Sequence, residues 1–270
     1  MIPQPLFDRR GILDDAARRR ITACKTVVLF LDFDGTLAPI RKAPSLAVMP
    51  QRTKGILASL ARRPEFVVGL ATGRTRADIV RKVGLKGLFL ITNHGFEISR
   101  GKTRWVHPAA KRARPGLTRC AAALRRSLRA VRGTLIEHKG YTLSVHFRNV
   151  SKAGVPIVHQ TVAELLLQYG DSLKSAAGKK VLEIRPRVLW GKGHAALRVL
   201  QSLRRSPSPL VLYIGDDVTD EDAFRLLPRG AITIAVGRYR SAALYRVKNP
   251  GDVVRFLQVV NNIGTRGVDS

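Results

Sequence analysis

The chain alternates short, unbroken apolar runs with amphipathic stretches, and the runs stop abruptly at polar residues. Val27 to Leu31 is followed by Asp32, and Val67-Val68-Gly69-Leu70-Ala71 by Thr72-Gly73-Arg74. Leu88-Phe89-Leu90-Ile91 precedes Thr92-Asn93-His94-Gly95, Leu210 to Ile214 precedes Gly215-Asp216-Asp217, and Ile232 to Val236 precedes Gly237. Continuous β-branched-rich runs predict parallel strands, because a strand covered on both faces needs apolar side chains throughout. Helix-period stretches between them, such as Thr53 to Leu60 and Ala195 to Leu203, predict the crossovers. The expected fold class is α/β, a doubly wound, Rossmann-like parallel sheet. Its strands end in Asp, Thr, Asn or Gly, so polar groups gather at one edge.

Between Gly101 and Pro186 the pattern changes. Leu135 to Glu137 and Thr142 to Phe147 flank His138-Lys139-Gly140-Tyr141, which predicts a hairpin. Val158, Val162, Leu165, Leu166 and Tyr169 share one helical face, and Val181 to Ile184 predicts a further strand stopped by Pro186. This order predicts an α+β unit with an antiparallel sheet, inserted into the parallel one. The expected division is a core of residues 1–100 and 187–270 and an inserted cap of residues 101–186. Thr265 to Ser270 is expected to fray.

With 270 residues, 45% of them hydrophobic, the chain can bury a sizeable core. It has no apolar window of the ~18–20 residues a membrane helix needs. Met1 to Arg20 holds no apolar segment of a secretory signal. Cys24 and Cys120 lack metal-ligand spacing and read as reduced thiols. A cytoplasmic monomer without membrane contact is expected. The formal charge of +29 raises the question of a nucleic-acid partner. The basic groups are scattered, however, over Arg18-Arg19-Arg20, Arg62-Arg63, Lys111-Arg112, Arg125-Arg126 and Arg204-Arg205. Aromatic residues are only 6% and do not interleave with them as stacking platforms would. The pattern argues against nucleic acid and for solvated helix faces, whose field would draw in a phosphorylated substrate.

The chemistry concentrates at Asp32-Phe33-Asp34-Gly35-Thr36, where a buried strand delivers two carboxylates spaced one residue apart. Gly35 permits a sharp turn, and the pair can hold a hard cation such as Mg²⁺ at the carboxyl edge of the sheet. Thr72-Gly73-Arg74, Lys192 between Gly191 and Gly193, and Gly215 to Glu221 complete a set. Phosphoryl transfer needs a nucleophile, an acid/base, charge neutralisation and a metal, and these segments offer one of each. Together they resemble the haloacid dehalogenase-like phosphatase superfamily. The resemblance implies that Asp32 is the nucleophile, Asp34 the acid/base, and Thr72 a hydrogen-bond partner of the phosphoryl group. Lys192 would neutralise both that group and Asp32. It further implies Mg²⁺ held by Asp32, the Asp34 backbone carbonyl and Asp216, with Gly73, Arg74, Asp217 and Asp220 in support. Plainer local readings stand beside these: Thr72 as a helix N-cap, and Thr219 or Asp220 as the capped start of a helix from Glu221 to Leu227.

Asn93 to Glu97, Glu137-His138-Lys139, Ser144 to Arg148, Gly178 to Pro186 and Gly215 to Phe224 look like the trehalose-6-phosphate phosphatases. This resemblance runs from Val27 to Val236. It implies a Mg²⁺-dependent hydrolase that releases trehalose and phosphate through an aspartyl-phosphate. Glu137, Lys139 and Glu183 would bind sugar hydroxyls, with Asn93, His94 and Arg148 as further substrate contacts. Without the resemblance, Glu137 and Lys139 read as a surface ion pair on one strand face. Two alternatives are carried: a phosphatase of another sugar phosphate, such as sucrose phosphate or a glycosylglycerate phosphate, and a basic nucleic-acid-associated protein on this fold.

Overall fold

The computed structural model describes residues 1–178, 180–203, 209–238 and 240–263. Lys179, the Arg204-Arg205 pair and Thr265 to Ser270 lie outside the described residues. The chain divides into two compact units, Met1–Arg104 with Trp190–Ser270, and Trp105–Leu189.

The first unit opens with β1 (Gln4–Pro5), α1 (Asp15–Ala23), β2 (Val27–Leu31), α2 (Gln51–Arg62), β3 (Phe66–Ala71), α3 (Arg76–Val83), β4 (Phe89–Thr92) and β5 (Glu97–Arg100), and the unit boundary falls within β6 (Thr103–Val106). The second unit contributes α4 (Pro108–Ser127), β7 (Leu135–His138), β8 (Leu143–His146), α5 (Gly154–Leu167), β9 (Leu173–Gly178) and β10 (Val181–Pro186). The chain then returns through α6 (Lys192–Leu203), β11 (Leu210–Gly215), α7 (Glu221–Leu226), β12 (Ile232–Val236), β13 (Tyr245–Val247) and α8 (Pro250–Asn262).

The large sheet has the order β1-β13-β12-β11-β2-β3-β4-β5-β6. Pairing is parallel from β1 through β4, and β5 joins β4 antiparallel. From β2 the chain winds outward to β3 and β4, then restarts on the other side with β11, so β2 and β11 flank the switch point of the order. Every residue of β2, β3, β11 and β12 is buried. Val27, Leu29 and Leu31 join Leu57, Leu60, Phe256 and Leu257 in one core cluster. On the other face the rings of Phe30, Tyr213 and Phe224 pack in sequence, at centroid distances of 6.3 and 5.8 Å. A Cβ at Gly69 would stand 2.8 Å from the Phe30 ring, so the glycine inside β3 makes room for it.

The second unit is a four-stranded antiparallel sheet, β7-β8-β10-β9. α4 and α5 cover its apolar face, where Leu117, Leu124, Val158 and Val162 meet Leu143, Val145, Leu182 and Ile184. Strand alternation then puts Glu137, Ser144 and Glu183 on the opposite face, in one cross-strand row. β9 was not legible beforehand. Its Lys174-Ser175-Ala176-Ala177 segment is an edge strand with little apolar content, and it gains its place by pairing with β10.

Candidate active site

Three neighbouring strands carry candidate residues to one edge of the sheet: Asp32 and Asp34 follow β2, Thr72 follows β3, and Asp216 follows β11. Asp32 N donates to Ile214 O at 2.9 Å, extending the β2–β11 ladder one residue beyond the strand. The switch point of an open α/β sheet leaves a crevice at the carboxyl ends of its strands.

Lys192 begins α6, three residues before the expected helix start at Ala195. Its ammonium lies 2.7 Å from Asp32 Oδ1 and 2.9 Å from Asp220 Oδ1, with the three side chains 2%, 6% and 0% exposed. Tyr213 Oη donates to the same Asp220 oxygen at 2.9 Å, and Asp217 N to the other at 3.0 Å. Asp217 in turn accepts from Val218 N, and the two acids form a reciprocal capping box ahead of α7. Asp220 is thereby spent on holding Lys192 and the turn. Burial raises the Asp32 carboxyl well above the carboxylate range; Lys192 opposes that rise, and Asp220 and Asp216 reinforce it. Burial also pulls Lys192 toward neutrality, but Asp220 and Asp32 outweigh it and its pKa rises. The ammonium stays charged, and the surplus belongs to the carboxylates.

One oxygen each of Asp32, Asp216 and Asp220 lie within 4.8 Å of one another. Three buried carboxylates with oxygens this close together offer a set of hard oxygen donors, which suits a hard divalent cation. Gly35 supports the fit. It sits at φ 84°, and a Cβ on it would collide with the Asp216 carboxylate, so only glycine lets that carboxylate close on the Asp34–Gly35 backbone. Gly35→Ala is expected to cost about 1–3 kcal/mol in stability and to displace Asp216. Denaturant unfolding and divalent-ion titration check this; unchanged ion affinity would remove Asp216 from the ligand set.

Asp34 is clamped by Arg74. Arg74 Nε donates to Asp34 Oδ2 and Nη2 to Oδ1, both at 2.7 Å, while Nη1 reaches Asp78 Oδ2 and Nη2 also Pro44 O. The guanidinium lies 5.2 Å from the Phe33 ring centroid. Burial lowers the Arg74 pKa, but Asp34 and Asp78 more than restore it. Thr72 Oγ1 accepts from Arg74 N at 3.2 Å. Thr72 is not the helix cap, because Thr75 caps α3 by accepting from Asp78 N. Asn93 and His94 are buried and both adopt left-handed backbone, φ 51° and 56°, a strained conformation for two adjacent non-glycine residues. Their amides tie to the same loop, Asn93 N to Arg74 O and His94 N to Thr72 O. A Cβ at Gly73 would strike the His94 ring, which explains the glycine. Asn93 Nδ2 donates to Glu97 Oε2 at 3.2 Å.

Within the second unit, Ser144 Oγ lies 2.8 and 2.9 Å from the two Glu183 oxygens, and Lys139 Nζ lies 3.4 Å from Oε1. Glu137 Oε2 is 3.0 Å from His146 Nε2, and this hydrogen bond holds the Glu137 carboxyl below the usual range. Lys139 therefore reaches across the sheet to Glu183, and the local Glu137–Lys139 ion pair does not form. Arg148 is exposed beyond β8. Ser144 and His146 were not among the expected site residues, although the alternation Leu143-Ser144-Val145-His146 puts them on the Glu183 face. Tyr213 gave no signal, since it reads as one more member of an apolar run.

A family model described as trehalose-phosphatase matches residues 30–249. The chain belongs to the trehalose-phosphatase family. The probable trehalose-phosphate phosphatase D of Arabidopsis thaliana is 34% identical over 249 residues, 87% of this chain and 67% of that protein. The trehalose-phosphate phosphatase of Mycobacterium tuberculosis is 37% identical over 236 residues, 84% of this chain and 59% of its own length. The chain thus spans about three fifths to two thirds of these trehalose-phosphatase relatives. In fold it is similar to the C-terminal domain of C. albicans trehalose-6-phosphate phosphatase, with a TM-score of 0.81 at 21% identity over 97% of this chain and 99% of that one. No helix among the described residues is long and apolar enough to cross a membrane.

Proposed function

We propose that the chain hydrolyses trehalose 6-phosphate to trehalose and phosphate, using Mg²⁺ at the Asp32–Asp216 cluster. The observation that carries this reading is the buried Asp32–Lys192–Asp220 triad at the switch point of the sheet, in a member of the trehalose-phosphatase family. An Asp32 oxygen attacks phosphorus, and the bond from phosphorus to the sugar oxygen breaks as Asp34 gives that oxygen a proton. The aspartyl-phosphate is then opened by water, which loses its proton to Asp34 as it attacks phosphorus and releases Asp32. Arg74 occupies one lone pair on each Asp34 oxygen, which orients the carboxylate and leaves a second lone pair for the shuttled proton. Lys192 and the hydroxyl of Thr72 take phosphoryl oxygens as charge accumulates. Bound Mg²⁺ would neutralise phosphoryl charge beside Asp32 and Asp216.

For the sugar, the reading assigns Glu137, Lys139 and Glu183, whose carboxylates accept from hydroxyls. Asn93 and His94 stand beside the phosphoryl loop as further contacts. Glu183→Ala removes the acceptor that gathers Ser144 and Lys139. It is expected to lower kcat/KM for trehalose 6-phosphate about 10–100-fold, while a small aryl phosphate loses much less. Equal losses on both substrates would end its role in sugar recognition. The whole reading is tested by phosphate release from trehalose 6-phosphate beside glucose 6-phosphate and sucrose 6-phosphate, with and without EDTA. Trehalose 6-phosphate should give the highest kcat/KM, EDTA should abolish turnover, and added Mg²⁺ should restore it. Preference for another sugar phosphate would reassign the substrate, and EDTA-resistant turnover would remove the metal.

A further inference from the structure

Lys192 stands between Gly191 and Gly193, and the chemistry of the lysine gives no reason for either glycine. The packing of α6 on α7 gives one for both. A Cβ on Gly193 would stand 2.8 Å from Ala223 Cα and 2.9 Å from Ala223 N, so only glycine lets the first turn of α6 come this close to the α7 backbone. A Cβ on Gly191 would collide with the Asp222 carboxylate. The segment has a second anchor in the same unit. Trp190 Nε1 donates to Gly95 O at 2.8 Å, and Gly191 O fills the space that a Cβ on Gly95 would need.

Asp220, Glu221 and Asp222 are consecutive, and a turn of about 100° per residue aims them at three different targets. Asp220 binds the Lys192 ammonium. Glu221 accepts from Ser241 Oγ at 2.7 Å and from Ala242 N at 2.8 Å, which ties α7 to the segment before β13. Asp222 accepts from the Gly193 amide, one of the N-terminal amides that α6 cannot satisfy itself. The first turn of α6 holds no acid of its own, so Asp222 supplies negative charge there from the neighbouring helix, and Lys192 attracts it. The arrangement is costly to the fold. Burial raises the Asp222 pKa, and its Oδ1 is buried with no hydrogen-bond partner among the described residues. An acid kept at that cost serves more than stability.

We propose that Asp222 is a positioning residue for Lys192: by holding the Gly193 amide it sets the first turn of α6, and with it the reach of the ammonium to Asp32. This rests on the reading of Lys192 as the cation at the phosphoryl group. The test is a cycle of Asp222→Ala, Lys192→Met and the two together in the full chain. It is read by steady-state phosphate release from a small aryl phosphate with Mg²⁺, and by urea unfolding without metal. Asp222→Ala should lower kcat about tenfold, because a small displacement of a preorganised group is enough for that. Asp222→Asn keeps an oxygen for the Gly193 amide and should recover most of the loss. In the Lys192→Met chain, Asp222→Ala should lower kcat less than about twofold, since the group it places is gone. A role in folding alone would carry the loss over into that background. The unfolding arm needs no catalysis: Asp222→Ala should raise the urea midpoint more in the Lys192→Met chain than in the parent, because the acid there has lost its cation. If Lys192→Met is too unstable to assay, Lys192→Gln takes its place in the cycle. The proposal is overturned by an unchanged kcat in Asp222→Ala, by the same loss with and without Lys192, by an Asn variant as slow as the Ala variant, or by equal midpoint shifts in both backgrounds. A parent chain that releases phosphate from no ester would overturn the catalytic reading, and the unfolding arm would then still count for or against the Asp222–Lys192 pair.

Discussion

Asp32→Asn is expected to lower kcat by at least about 10⁴-fold, because an amide cannot attack phosphorus and no neighbouring group can replace the nucleophile. The same change should not harm the fold. Burial disfavours the Asp32 charge, and an asparagine oxygen can still accept from Lys192 at the observed 2.7 Å separation. Activity and stability should therefore move apart, with the unfolding midpoint unchanged or raised. Steady-state phosphate release and denaturant unfolding on one preparation check both halves. Acid-quenched wild-type enzyme should also carry labelled phosphate on the protein, and the variant none. A variant that retains a tenth of wild-type turnover would place the nucleophile elsewhere.

Lys192→Met should be damaging in both respects. It keeps the length of the side chain but removes the ammonium from between Asp32 and Asp220, which are 6% and 0% exposed. Leaving buried carboxylates without their counter-ion costs about 3–5 kcal/mol. Loss of a preorganised cation at the phosphoryl group should lower kcat by a further effect of about 10²–10³-fold or more. The sign of the pH dependence follows from linkage. Burial already raises the Asp32 carboxyl and Lys192 opposes that rise; in the variant its folded-state pKa lies further above the unfolded value, so its protonated form favours folding. The stability deficit should be small near pH 4, below or close to the unfolded pKa, and grow as pH rises toward 7. Urea unfolding across that range, without added metal, measures it; a deficit independent of pH would show that the carboxylates are not what the ammonium balances.

The strands β2, β3, β11 and β12 were legible because each is buried on both faces, so every residue had to be apolar and the polar residue after each marked its end. The antiparallel sheet was legible only in part. β8 and β10 show alternation, whereas β9 has the composition of a loop and is a strand only because β10 offers it a partner. The helix start at Lys192 was hidden by the glycines around it, and Pro186 ends β10 as its last residue.

By itself the sequence determined the α/β class, the sheet edge where acids collect and the family of the chain, since these depend on patterns within a few residues. Only the tertiary structure decided which charges meet. Lys139 finds Glu183 across 44 positions and Arg74 finds Asp34 across 40, whereas the meeting of Lys192 and Asp32 across 160 was implied beforehand by the family resemblance alone. Strand order and register fix those meetings, and no local periodicity encodes them. That is why Lys139 pairs with Glu183 and not with Glu137, its neighbour in sequence.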